Sequence, residues 1–295
     1  MPAAIDTDAV TPGPAGPSGP AVPPGPPAGE VPPPSPRVQR FWRIGGTIVA
    51  VLLLPWGVVQ AVAQWAHEEH DEHHVFPAEG IRLIEVHSAN GEVRIVGSEP
   101  DEGGSRGDEI RVTAHVSEGL RSTGHSERVV GDRLVLEATC PLLFSSFCTV
   151  IYTVETPPDV DLVVRSDRGA TIEGMEGDVD VSADEGSIEL ARLRGAVRAD
   201  ADQGAVRASG LRSAEVDASS DQGEVFLRFL EVPQRVVAES DQGDVEVVVP
   251  DGDELYALTT DSDQGNVDRE IRADPRSDRS ITATTDQGDV IVRYP

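Results

Sequence analysis

The sequence predicts an all-β body, a β-solenoid with two short strands per coil, behind a disordered N-terminal tail and a single transmembrane helix. Three observations predict it. The phrase Asp-Gln-Gly begins at Asp202, Asp221, Asp241, Asp263 and Asp286, with degenerate copies at Asp167-Arg168-Gly169 and Asp184-Glu185-Gly186, and its successive glycines lie 17 to 23 residues apart. A period near 20 marks a solenoid, in which each repeat is one supersecondary unit buried only by its neighbours. Apolar residues alternate on both sides of each turn, and one uncharged run is long enough to cross a bilayer.

The chain begins with a stretch that cannot fold alone. Its first 36 residues hold 13 prolines among Gly, Ala and Ser, too little apolar surface to offset chain entropy. Residues 1–40 are therefore expected as a disordered tail. From Ile44 to Ala66 runs IGGTIVAVLLLPWGVVQAVAQWA, with Arg37, Arg40 and Arg43 before it and Glu68, Glu69, Asp71 and Glu72 after it. By the positive-inside rule, residues 41–66 span the membrane with the tail cytoplasmic and the body outside. A cleaved signal ending at Ala61-Val62-Ala63 is the competing reading, opposed by the long region ahead of the apolar run. Either way the body is exported. The expected location is a bacterial cell membrane, crossed once.

Residues 67–80 read as an acidic, His-rich juxtamembrane linker. If the helix continues, His67, His70 and His74 share one face, a candidate site for a borderline metal ion; the other reading is a solvated charged stop. His87, His115 and His125 stand singly and read as strand or surface residues.

The body is expected over residues 81–295. Ile81 to Val96 reads as two strands around Asn90-Gly91, a hairpin or tight-turn signal. Further strands follow at Glu109–Val116, Arg128–Val130, Arg133–Ala138, Thr149–Glu155 and Val160–Val164. Cys140 and Cys148 are the only cysteines. They bracket a loop between two of these strands, and outside the cytoplasm a structural disulfide is expected there.

In the repeat, apolar residues fall two and four places after the turn glycine, as in Val225 and Leu227, and five and three places before the aspartate, as in Val216 and Ala218. Two strands facing one narrow core produce that pattern. The residue before the aspartate is always small: Ala183, Ala201, Ser220, Ser240, Ser262 and Thr285. The turn glycines Gly204, Gly223, Gly243, Gly265 and Gly288 are expected at positive φ. Stacking would align the aspartates in a column, where neighbouring charges about 4.8 Å apart repel. Two readings stay open: Asx-type hydrogen bonds to turn amides, or a divalent cation such as calcium between side chains of the type Asp221, Asp241 and Asp263. No other cofactor is expected.

These turns, with Val-Glu-Thr-Pro-Pro-Asp-Val-Asp-Leu at Val154 to Leu162 and Val248-Val249-Pro250 closing a strand, resemble the DUF4097 family of adhesin-like β-solenoids, related to the toastrack domains of bacterial envelope-stress proteins. The resemblance covers Ile81 to Pro295 and implies a right-handed solenoid. The proline-rich tail and the anchor are not part of that family pattern.

With 52 acidic residues against 24 basic ones, all arginine, the net charge is −28. Such a chain repels phosphate backbones, so nucleic acid is excluded as a partner. No phosphate loop, nucleophile elbow or zinc-protease motif is present, and no enzyme is expected. The leading reading is a non-catalytic binding or adhesin-like module for an envelope protein or glycan. The alternative is an envelope-stress accessory or sensor signalling through its tail to a cytoplasmic partner. Phe226, outward by alternation, is the candidate contact patch.

Overall fold

The computed structural model describes residues 68–98, 108–118, 124–140 and 148–295. Among them every regular element is a strand. The tail and the expected membrane span lie outside the described residues. The strands before the regular repeat are β1 (Glu68–Pro77), β2 (Leu83–Ser88), β3 (Val93–Gly97), β4 (Glu109–Glu118), β5 (Gly124–Val130), β6 (Arg133–Thr139) and β7 (Thr149–Thr156). The repeat then contributes pairs: β8 (Asp161–Ser166) and β9 (Ala170–Glu173), β10 (Val179–Glu185) and β11 (Ile188–Ala191), β12 (Val197–Gln203) and β13 (Val206–Leu211). It continues with β14 (Glu215–Gln222) and β15 (Val225–Phe229), β16 (Arg235–Gln242) and β17 (Val245–Val248), β18 (Ala257–Gln264) and β19 (Val267–Arg269), β20 (Ser280–Gln287) and β21 (Val290–Arg293).

Each coil gives one strand to each of two sheets. One runs β1-β4-β7-β3-β9-β11-β13-β15-β17-β21-β19, the other β18-β20-β16-β14-β12-β10-β8-β2-β6-β5. The period-two pattern puts alternate side chains between the sheets, so Val179, Val197, Val216, Val236 and Ile281 form one buried row by register. Ile188, Val206, Val225, Val245 and Val290 form the row from the other sheet. Parallel stacking of equivalent strands is the solenoid the repeat predicts.

The coils are not stacked in chain order. Strand β20 pairs with both β16 and β18, and β21 with both β17 and β19, so the last coil in sequence sits second from the end. Core-facing positions explain the exchange. Coil β20–β21 offers Ile281, Ala283, Val290 and Val292, all fully buried, whereas coil β18–β19 offers Leu258, Thr260, Val267 and Arg269, none of them buried. The apolar coil is covered on both sides and the polar coil caps the stack. The front mirrors this: coil β2–β3 lies between β8–β9 and β6–β7.

Two readings at the front are decided. Strands β2 and β3 lie in different sheets, so Asn90-Gly91 is the tight turn of a coil corner and not a hairpin. Asn90 takes a φ of 61° there, a conformation asparagine tolerates. Within the stretch expected as a linker, Glu68 to Pro77 is strand β1, which pairs antiparallel with β4. Its alternation was masked because His and Glu, not apolar residues, occupy the inward positions.

The Cys140–Cys148 disulfide is present, closing the corner between β6 and β7. The Asn90 side-chain amide donates to the Cys148 carbonyl, tying that corner to the next coil. In the chain-entropy account a loop of this size contributes about 2.5 kcal/mol. Reduction is expected to lower the urea midpoint accordingly; an unchanged midpoint with and without reductant would contradict it.

Candidate functional site

Three features of the body could meet a partner: the Asp-Gln-Gly edge, a trough on the outer face of the sheet ending in β5, and the outward side chains around Phe226.

At the Asp-Gln-Gly edge the glycines approach each other. A Cβ on Gly204 would lie 2.1 Å from the Gly186 carbonyl oxygen, and one on Gly243 would lie 2.2 Å from that of Gly223. Glycine is required by stacked backbones more than by φ: Gly204 and Gly288 have φ of +152° and +150°, while Gly223, Gly243 and Gly265 are outside the left-handed range, against expectation. The small residue before the aspartate also has a chemical task. Where it is Ser or Thr, its hydroxyl donates to the glycine carbonyl of the adjacent coil, Ser220 to Gly204 at 2.8 Å, Ser240 to Gly223 at 2.9 Å, Thr285 to Gly243 at 2.8 Å and Ser262 to Gly288 at 2.7 Å.

The aspartates line this edge in the order Asp167, Asp184, Asp202, Asp221, Asp241, Asp286, Asp263. Asp263 is therefore not the neighbour of Asp241. Partial desolvation, then the charges of Asp167, Asp202 and Glu185, raise the Asp184 carboxyl above its ordinary value. The inter-coil ladder is mainly backbone, as in Gly243 N–H donating to the Gln287 carbonyl at 2.9 Å. Side-chain rungs come from the residue after the glycine: Asp244 accepts from Asp289 N–H at 2.8 Å, and Asp289 from Asn266 N–H at 2.8 Å. Among the described residues no three His, Cys, Asp or Glu are grouped to hold a metal ion, at this edge or elsewhere.

The trough, about 320 Å³, runs across coils from β2 to β16. In register, Val163, Asp180, Arg198 and Asp217 line its floor, with Asp161, Asp178, Glu215 and Arg235 along it. Asp161 accepts from Asp178 N–H at 2.9 Å and Asp178 from Ala196 N–H at 2.8 Å, so these two also hold the corner. Asp180, Arg198, Glu215 and Arg235 are exposed. The sequence reading missed this trough, since its charges come from five different repeats; the signal was the recurring charge at the outward place between two apolar ones.

Phe226 points outward and is half-buried, flanked in register by Arg207 and Glu246. Phe229 is buried and Leu230 is 54% exposed. The outward expectation for Phe226 holds, and the neighbouring exposed apolar side chain is Leu230.

The histidines are rearranged relative to expectation. His67 lies outside the described residues. His70 and His74 share a strand face with Glu72, not a helix face. His125, read as single, donates its Nε2–H to Glu72 at 2.9 Å, and His115 pairs with Asp71 at 2.6 Å. The His125 hydrogen bond, opposed by partial desolvation and helped by His74 and His70, lowers the Glu72 carboxyl below its ordinary value.

No family model matches the chain, so the resemblance drawn from its turns stands without that support. No curated protein matches it either. Solved structures do. A candidate cell adhesion protein of Clostridium sporogenes is 10% identical with a TM-score of 0.39, covering 77% of this chain and 100% of that one. A candidate adhesin of Bacteroides fragilis is 12% identical with a TM-score of 0.40, covering 77% and 97%. One of Parabacteroides merdae is 9% identical with a TM-score of 0.39, covering 75% and 95%. Likeness of this depth carries nothing about activity.

Proposed function

We propose that this chain is a non-catalytic binding module of the bacterial cell envelope, a membrane-anchored rod that holds an extended hydroxyl-rich or cationic partner, such as a glycan or an envelope protein, against its trough. The observation that supports this is the spacing of the trough's charges. Asp161, Asp180, Arg198, Glu215 with Asp217, and Arg235 come from successive coils, about 4.8 Å apart. A polymer lying across the coils would meet one polar contact per coil, about 19 Å of contact in all. Individually weak, solvent-exposed contacts of this kind add up when repeated along one partner. The net charge of −28 opposes nucleic acid and anionic lipid as that partner.

The test is retention of the detergent-solubilised full chain on a panel of immobilised envelope polysaccharides, with release of reducing ends measured alongside. Retention by at least one polymer, lost in Asp180→Arg/Asp217→Arg, is expected, with no reducing ends released. Retention unchanged by the double substitution would remove the trough from the reading. Polymer cleavage would remove the non-catalytic role.

A further inference from the structure

The far end of the core carries a cluster that the binding role does not use. Strand β1 is the edge of one sheet and β5 the edge of the other. On β1, His70, Glu72 and His74 stand at alternate positions opposite the buried Val116, Ala114 and Val112 of β4. On β5, His125 and Glu127 also stand two apart. Their donor atoms meet: His125 Nε2 lies 2.9 Å from Glu72 Oε2, His74 Nε2 lies 3.6 Å from Glu72 Oε2 and 3.5 Å from Glu127 Oε2, and His70 Nε2 lies 3.4 Å from Glu72 Oε1.

A second observation points to a missing positive partner. The Glu127 side chain is only 7% exposed, yet its Oε1 has no hydrogen-bond partner. The Nδ1 of His125 and the hydroxyl of Tyr152, both buried, also lack partners. A buried carboxylate is costly unless a cation or donors compensate it. Burial first, then the charges of Glu127, Glu137 and Glu72, push the Tyr152 phenol above its ordinary value, so it stays neutral and supplies no charge of its own.

We propose that His74, His125, Glu72 and Glu127 bind one divalent transition-metal ion of the zinc class, which staples the edge strand of one sheet to that of the other. Two imidazole nitrogens and two carboxylate oxygens suit this ion, while calcium wants six or more oxygens. Bonds of about 2.0 to 2.2 Å in a tetrahedron place ligand atoms about 3.3 to 3.6 Å apart. The separations of 3.5 and 3.6 Å are already there, and that of 2.9 Å is short because His125 and Glu72 are hydrogen-bonded to each other. As the side chains stand, the donors are not grouped around one point. Binding requires Glu72 and His125 to part by about 0.5 Å and the four donors to converge on one point through rotation of their side-chain torsions. His70, on the other Glu72 oxygen, would orient that carboxylate from outside the coordination sphere.

The experiment uses the full chain in detergent, stripped with EDTA. Titration calorimetry with zinc chloride is expected to show one site of micromolar or tighter affinity, and the melting temperature should rise with zinc and not with millimolar calcium. Substituting His74→Gln/His125→Gln should weaken zinc binding by more than about 100-fold, beyond what loss of an outer-shell partner costs. His87→Gln, paired only with Glu85 on the outward face, should change nothing. Absence of saturable zinc binding would overturn the proposal, as would affinity retained in the double variant, which would assign the zinc to the acidic surface. Should that variant fold poorly, cobalt bound to the wild-type chain decides: an intense visible band marks the four-coordinate site, and only the weak band of octahedral cobalt rejects it.

Discussion

Gly243→Ala is expected to cost about 3 kcal/mol, a fall in melting temperature of roughly 6 to 12 °C for a body of this size. The added methyl would stand 2.2 Å from the Gly223 carbonyl oxygen, 2.5 Å from its carbon and 2.9 Å from the Glu224 nitrogen. These are backbone atoms, so no side chain can rotate away. The coils must separate, and the bonds across that interface stretch together: Ser240 hydroxyl to the Gly223 carbonyl at 2.9 Å and Val225 N–H to the Asp244 carbonyl at 2.9 Å. Gly131→Ala is the control. Its φ is +67° but nothing lies within 4 Å of the new methyl, so only the left-handed conformation is strained, at about 1 kcal/mol. Differential scanning calorimetry on the two variants separates the effects. Equal losses would show that backbone closeness at the Asp-Gln-Gly edge is not what demands glycine.

Much of this edge was legible in the chain, and the reasons it was not wholly so are instructive. The spacing of the glycines and the alternation around them were sufficient for two facing strands per coil, because period-two burial is local. The role of Ser220, Ser240 and Thr285 was half visible: their size is a property of one coil, but the hydroxyl's acceptor belongs to the next. The same holds for the end cluster. His125 lies 53 residues from Glu72, and only the antiparallel addition of β1 and β5 to opposite sheets brings them together. Strand β1 itself was hidden because an inward His, Glu, His series lacks the apolar signature by which strands are read.

The order of the coils was the deepest of these long-range facts, and a pair of substitutions tests it. Val267 and Val290 occupy the same place in their repeats, two after the turn glycine, and they are register partners across β19 and β21. Stacking in chain order would bury Val267 between two coils and leave Val290 at the end. The observed order reverses this, with Val290 fully buried and Val267 37% exposed. Val290→Asp should therefore place a carboxylate in the core with no cation beside it, at a cost of several kcal/mol, enough to unfold the last coils. Val267→Asp should stay within about 0.5 kcal/mol of the parent, because its carboxylate can reach water. Urea denaturation of both variants reads the difference, and the opposite ranking would restore the sequential stack. The cap explains why the chain tolerates so irregular a route: a solenoid must end, and its last exposed surface must be wettable. Thr260 and Arg269 make coil β18–β19 wettable where Ala283 and Val292 would not, so placing coil β20–β21 inside it buries the more apolar pair.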